Sequence, residues 1–154
     1  MPQEIERKYL LKNNSWKSEV TSENKIVQGY LNSNPARTVR IRITNNIGFL
    51  TIKSKNKGSV RKEFEYEIPL KEAEELIQLC EKPIIEKTRF LVKREKHTWE
   101  IDVFDGENKG LTVAEIELTE ENESFKIPDW IAKEVTSESK YFNSQLIANP
   151  FSKW

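Results

Sequence analysis

Apolar and polar positions alternate with a period of two along most of this chain, and the polar member of the alternation is usually ionised. It begins at Glu4-Ile5-Glu6-Arg7-Lys8-Tyr9-Leu10. It returns where Arg40 and Arg42 alternate with Val39, Ile41 and Ile43, and where Glu63, Glu65 and Glu67 alternate with Phe64, Tyr66 and Ile68. Lys87 and Arg89, Glu100 and Asp102, and Glu115 and Glu117 repeat it. A period of two is that of a strand with one face apart from the other. Strands are predicted over 3–11, 26–32, 37–44, 48–54, 60–68, 84–94, 97–104 and 112–119. Asn45-Asn46, Asn56-Lys57-Gly58 and Asp105-Gly106-Glu107 mark turns between them. The short connections favour antiparallel pairing.

Helical spacing interrupts the strands. Over 71–82, Ala73, Leu76, Ile77 and Cys80 share a face, and Pro83 stops the run. A short helix is predicted from Pro128 through Val135. Another spans 139–148, with Tyr141, Phe142, Leu146 and Ile147 available for burial. The fold class is therefore α+β, mainly antiparallel β, with a few flanking helices. Many short strands with almost no long crossover favour a barrel or a sandwich. In a single strand the charged face is best read as a solvated side with salt-bridge ladders. In strand after strand, ionised blocks of both signs point instead to an inverted, closed or nearly closed barrel lined by charge. Helices this few cannot cover every apolar strand face, so loops, barrel curvature or a homodimer partner must contribute.

Composition narrows the field. The 154 residues suit one domain spanning 1–154. Charged residues reach 32%, and 25 basic residues balance 25 acidic ones. Zero net charge argues against a nucleic-acid coat. Cys80 is the only cysteine, which excludes an intrachain disulfide and a cysteine zinc cluster. It is expected to pack on its helix face. No apolar run is long enough to cross a bilayer as a helix. With Glu4 already a candidate site residue, no leader is expected, and a cytoplasmic protein is the reading. His97, beside a turn, is expected to be solvent-exposed rather than a ligand.

Cationic groups on rigid strands suit a chain of phosphates, because guanidinium groups donate in pairs to oxyanions. Arg40, Arg42 and Arg89, with Lys8, Lys53 and Lys87, would surround it. The alternative for each is a surface ion pair worth roughly 0–1 kcal/mol. Lys55, Lys57, Arg61 and Lys62 lie near a turn and are given that reading. Carboxylates repel phosphate, and a hard divalent cation, Mg²⁺ or Mn²⁺, resolves the conflict. Glu4, Glu6, Glu115 and Glu117 would meet if the first and last strands pair.

The order of these elements resembles a known family. Glu4-x-Glu6-x-Lys8, Gln28-Gly29-Tyr30-Leu31, Arg40-x-Arg42, Thr51-Ile52-Lys53, Lys87-Thr88-Arg89-Phe90, Asp102 and Ala114-Glu115-x-Glu117 match the CYTH superfamily of triphosphate tunnel metalloenzymes. Pro128-x-Trp130 and Glu134-Val135-Thr136 extend the match. The resemblance implies an antiparallel barrel of about eight strands forming a tunnel that takes a triphosphate. It assigns Glu4, Glu6, Glu115 and Glu117 to the metal, with Glu63, Glu65 and Asp102 as further contributors. Glu63 or Glu65 would alternatively hold an arginine in place. It also suggests Tyr30 with Lys87 as a water-activating pair, against the equal alternative that Tyr30 only packs. Lys8 would join Lys87 at the reacting phosphate.

The activity implied is metal-dependent hydrolysis of a small triphosphate, foremost inorganic tripolyphosphate. A class IV-type adenylate cyclase or a thiamine triphosphatase shares such a site but needs a pocket for an organic ring. Trp16, Phe49 and Trp154 are the candidates for one. A non-catalytic polyphosphate or nucleotide sensor would not need the paired glutamates. No G-x-x-x-x-G-K-[ST] phosphate loop occurs.

Overall fold

A computed structural model describes residues 3–154. Its strands are β1 (Gln3–Leu11), β2 (Val20–Asn32), β3 (Arg37–Thr44), β4 (Ile47–Ser54), β5 (Val60–Ile68), β6 (Ile85–Arg94), β7 (His97–Phe104), β8 (Thr112–Glu117) and β9 (Ile131–Glu134). The single α-helix among the described residues, α1, is Leu70–Leu79. Eight strands run β5-β4-β3-β2-β6-β7-β8-β1, each antiparallel to its neighbours, and β1 pairs back onto β5 through Gln3↔Lys62, Glu4↔Arg61 and Ile5↔Val60. The ring is thus a closed barrel. The β3–β4 hairpin turns at Asn45 and Asn46, both with positive φ, the geometry that matches the twist of the flanking strands.

Alternation sends most of the ionised residues inward and most of the apolar ones outward. Two hydrophobic cores therefore sit outside the ring, and one fills an end of its interior. One gathers Trp16, Trp99, Ile116 and Trp130 under the 3₁₀ turn Ser15–Glu19 and the segment after β8. A second lies inside, at one end of the barrel: Ile85, Phe104 and Val113 share the inward faces of Lys87, Asp102 and Glu115, and Leu146 and Ile147 of the C-terminal segment pack onto them. In the third, Ala73 and Ile77 of α1 pack on Ile41 of β3. A Cβ added at Gly48 would lie 2.5 Å from the Ala73 Cβ, so only glycine lets the helix seat this closely. Each large aliphatic side chain so buried contributes about 1.5–3 kcal/mol. Ile52, Phe64 and Tyr66 remain exposed on the outer face of β4 and β5.

Two predicted helices are absent. Residues 128–135 form a turn and then β9, which pairs with β1 through Leu11↔Ile131 and Tyr9↔Glu134. Because β5 pairs only with the start of β1, the rest of that edge needs a partner. Backbone satisfaction there overrides local helical spacing. In 139–148 the repeat stops after the 3₁₀ turn Ser139–Tyr141, because Phe142 is extended at φ −69° and ψ 133°. That break lets Leu146 and Ile147 reach the core while Asn143 faces the barrel lumen. β2 begins at Val20, six residues before the predicted start. Its added length after Val20 is polar, mostly exposed and paired with β6, so no alternation marked it. His97 is not solvent-exposed: its Nε2 lies 2.5 Å from Glu123 Oε2 and its ring packs on Phe125.

Candidate active site

The barrel encloses a cavity of about 260 Å³. Its wall is set by register. Gln28 and Tyr30 of β2 lie opposite Arg42 and Arg40 of β3, and Thr38 and Arg40 lie opposite Lys53 and Thr51 of β4. Lys53 and Thr51 face Glu63 and Glu65 of β5. On the other side Arg89 of β6 pairs with Asp102 of β7, Glu100 with Glu115 of β8, and Glu115 and Glu117 with Lys8 and Glu6 of β1. The expected meeting of Glu4, Glu6, Glu115 and Glu117 occurs, through β1 pairing with β8 and β5. Glu4, Glu6, Lys8, Tyr30, Arg40, Arg42, Lys53, Glu63, Glu65, Lys87, Arg89, Glu115 and Glu117 all line the cavity.

Most charges are paired, in an uneven way. Asp102, fully buried, accepts from Arg89 Nε at 2.8 Å and Nη2 at 2.9 Å, and from Lys87 Nζ at 2.7 Å. Both its oxygens are thereby engaged by cations, a different use from the metal ligation expected of it. Arg89 also reaches Glu100 and Glu115, at 3.2 and 3.3 Å. Glu4 is held by Lys53 at 2.9 Å and Arg61 at 3.0 Å. Burial pushes Glu4 up, but those two cations bring it down to about 2. Lys53 also lies 3.4 Å from Glu63. Glu65 lies 3.5 Å from Arg40, which fits its alternative role as an arginine support.

Three cations lack full compensation. Among the described residues Arg42 has no carboxylate in ion-pair range. Its Nε donates to Gln28 Oε1 at 2.8 Å. Burial, with Arg40 and Arg89 nearby, pushes Arg42 down to about 9. Arg40 is 7% exposed, and its Nε is a buried donor with no acceptor. Lys8 Nζ donates to the Tyr141 carbonyl at 3.1 Å and, among the described residues, meets no carboxylate in ion-pair range. A buried donor without a partner costs about 1–3 kcal/mol, so this wall is built for an anion.

The acids mirror this. Removal from water, with Glu115 and Glu4 adjacent, raises Glu6 well above its ordinary value, and its carboxyl shares a hydrogen bond with Glu115. Glu117 and Glu63 are also raised, by burial first and then by Glu4. Glu115 goes the other way: although burial pushes it up, Lys8 and Arg89 hold it well below the carboxylate range. Glu6, Glu117 and Glu63 thus resist ionising together until positive charge arrives. Among the described residues no three acidic, histidine or cysteine side chains form a ready-made cage. A hard divalent cation needs only one or two carboxylates from the protein and can complete its shell with water and phosphate. The donors present are hard oxygens, and the set fits such an ion.

Lys87 is buried and pushed down to about 7, by burial first and then by Arg89 and Arg42, against the opposing pull of Asp102. Tyr30 packs in the second core yet also lines the cavity, so both expectations for it hold geometrically. Sequence reasoning missed Arg61, Glu100, Thr136 and Asn143 among the lining residues. Strand alternation with Glu63 and Glu65 would have found Arg61. Thr136 entered only through the Glu134-Val135-Thr136 match, with no site role given to it, and Asn143 sits outside any regular repeat and carried no signal. Trp16 packs on Phe90 and Trp154 on Tyr141 and Phe151, so neither forms a ring pocket at the cavity.

A model of the CYTH domain matches residues 2–148. The chain belongs to the CYTH family. It is 46% identical over 155 residues to an inorganic triphosphatase from Acetivibrio thermocellus, covering 100% of this chain and 99% of the relative. A second inorganic triphosphatase, from Nitrosomonas europaea, is 32% identical over 148 residues, covering 93% and 95%. The crystal structure of an inorganic triphosphatase aligns at 31% identity with a TM-score of 0.65, covering 94% of this chain and 93% of that one. No helix among the described residues is long and apolar enough to cross a membrane.

Proposed function

We propose that this CYTH protein is a divalent-metal-dependent triphosphatase acting on inorganic tripolyphosphate. The observation that carries the reading is the imbalance within one cavity: Arg42 and Lys8 without a carboxylate in ion-pair range among the described residues, Arg40 with an unpartnered Nε, and Glu6 and Glu117 without a cation in that range. Both curated relatives named above are inorganic triphosphatases. The scarcity of aromatic rings at the lumen, where only Tyr30 and Phe142 reach among the described residues, favours a substrate with no organic ring.

In this reading Arg40, Arg42, Arg89, Lys8 and Lys53 bind the phosphate oxygens, and their strands hold them in place before substrate arrives. Glu6, Glu115 and Glu117, with Glu4 and Glu63, hold Mg²⁺ or Mn²⁺. The ion supplies charge neutralisation at the phosphates and a more acidic bound water. Asp102 keeps Lys87 and Arg89 oriented. Lys87, with a proton affinity near neutrality, faces the lumen beside Tyr30 and takes the proton of the attacking water. The cationic wall stabilises the charge that spreads over the equatorial oxygens in the transition state. A cytoplasmic location fits a sole, buried, unpaired Cys80.

The test is phosphate release from tripolyphosphate, pyrophosphate, ATP and thiamine triphosphate, with Mg²⁺ and with Mn²⁺, alongside a cyclic-nucleotide assay. Tripolyphosphate should give the highest kcat/KM, and no turnover should occur with chelator. Cyclic product from ATP, or metal-free turnover, would overturn the reading.

A further inference from the structure

Asn143 stands where the C-terminal segment meets the catalytic wall. Its Oδ1 accepts from Lys87 Nζ at 3.0 Å and from Gln28 Nε2 at 3.0 Å. Gln28 is fully buried, and its Oε1 accepts from Arg42 Nε. The direction of this relay is fixed by chemistry. A guanidinium only donates, so the Gln28 atom facing Arg42 is its oxygen. The Gln28 amide nitrogen then faces Asn143, which must present its own oxygen, and that oxygen also receives Lys87. Two amides are thus locked in one orientation by one arginine.

We propose that Asn143 is a positioning residue for the reaction, fixing the Lys87 Nζ relative to the Arg42 guanidinium along the cavity wall. The proposal rests on the role given to Lys87 above. Asp102 and Asn143 take two of the three directions around the Lys87 nitrogen, and the third is left for the lumen that Lys87 lines. Without Asn143 only Asp102 aims that nitrogen, and the aliphatic stem of the lysine can swing.

Asn143 is not what ties the C-terminal segment down. Leu146 and Ile147 are buried in the second core, Phe151 N donates to Asn108 Oδ1 at 2.8 Å, and Trp154 packs on Tyr141. Gln145 Nε2 donates to the Ser33 carbonyl as well. The segment keeps these anchors when the Asn143 side chain is cut back. Position 143 therefore separates placing the segment from placing Lys87.

The experiment is a double-mutant cycle in the full chain with Mg²⁺ and tripolyphosphate, using Asn143→Ala, Lys87→Gln and the pair. Asn143→Ala should lower kcat about 10- to 100-fold while KM changes less than about threefold. In the Lys87→Gln background the same change should cost less than about twofold, because the group it positions is gone. Unchanged kcat in Asn143→Ala, or an equal loss in both backgrounds, overturns the proposal while leaving the triphosphatase reading intact. Wild-type kcat in Lys87→Gln would remove the assigned role of Lys87 and the positioning with it. If Asn143→Ala does not fold, Asn143→Ser runs the same cycle. Failure of both to fold would make Asn143 a structural tie and end the proposal.

Discussion

Asp102→Asn keeps the shape of the side chain and removes one charge from the densest part of the wall. In the wild type this carboxylate is fully buried and receives three charge-assisted hydrogen bonds, two from Arg89 and one from Lys87. Breaking a buried pair by neutralising one partner costs about 3–5 kcal/mol, because the other charge stays behind. Here two cations stay behind, but Arg89 retains Glu100 and Glu115, which favours the lower end, about 3 kcal/mol. For a chain of this length each kcal/mol moves the melting point by about 2–4 °C, so a drop of about 6–12 °C is expected. Calorimetry and urea unfolding of the metal-free protein measure it. Tripolyphosphate should recover part of the loss, since it supplies anionic charge to the stranded cations. The apparent Mg²⁺ affinity in the turnover assay should change less than about threefold, as both Asp102 oxygens already serve Lys87 and Arg89. A melting point within about 2 °C of wild type, or a Mg²⁺ requirement raised tenfold or more with stability kept, would refute the anchoring role and return Asp102 to the metal ligands.

The remaining expectations concern the acids and the arginine without a carboxylate. Glu6→Gln should raise the melting point of the metal-free protein at neutral pH, because the carboxyl it replaces is forced up by burial and by Glu115 and Glu4; it should also abolish Mg²⁺-dependent phosphate release, and a variant that melts lower or still turns over contradicts the assignment. Glu4, with a folded value of about 2 against 4.5, contributes stability that is full above pH 4.5 and is lost as pH falls toward 2, about 3 kcal/mol in all. Acid unfolding of Glu4→Gln should lack that limb, and an unchanged acid limb would show that Lys53 and Arg61 do not hold the group as described. Arg42→Gln should raise KM for tripolyphosphate about tenfold with little change in fold, and an unaltered KM removes Arg42 from the substrate site.

The parts of the molecule legible in the sequence are those governed by a period of two. Alternation placed Glu4, Glu6, Arg40, Arg42, Lys87, Arg89, Glu115 and Glu117 on one face of their strands, and the closed ring turned that face inward. Closure itself was not local. It depends on β1 meeting β5 and β8 at once, a pairing that spans the chain. What the sequence hid follows two rules of the fold rather than of any segment. A strand edge left open at Leu11 recruited residues 131–134 as a strand despite their helical spacing. A segment that must both fill a core and reach into the lumen had to abandon any repeat after Tyr141, so Asn143 could not be read as a site residue.

Putting two of its three apolar cores outside the ring separates much of what holds the barrel from what it does. An ordinary small barrel fills its interior with side chains, and a change there opens a void. In this barrel much of the interior is a charged cavity, while Trp99, Ile116 and Ile41 anchor two outer cores and Leu146 a third that plugs one end of the ring. Ring geometry is then set in large part by packing outside the lumen. The inner charges can be left unbalanced because the hydrophobic cores supply the stability that this imbalance spends. The cost is exposure of the ring to its coverings: the 3₁₀ turn at Trp16 and α1 each cap an outer face, and the C-terminal segment closes one end. Only the last also extends a side chain into the lumen, at Asn143, so of the three it is the one whose packing and whose chemistry are joined.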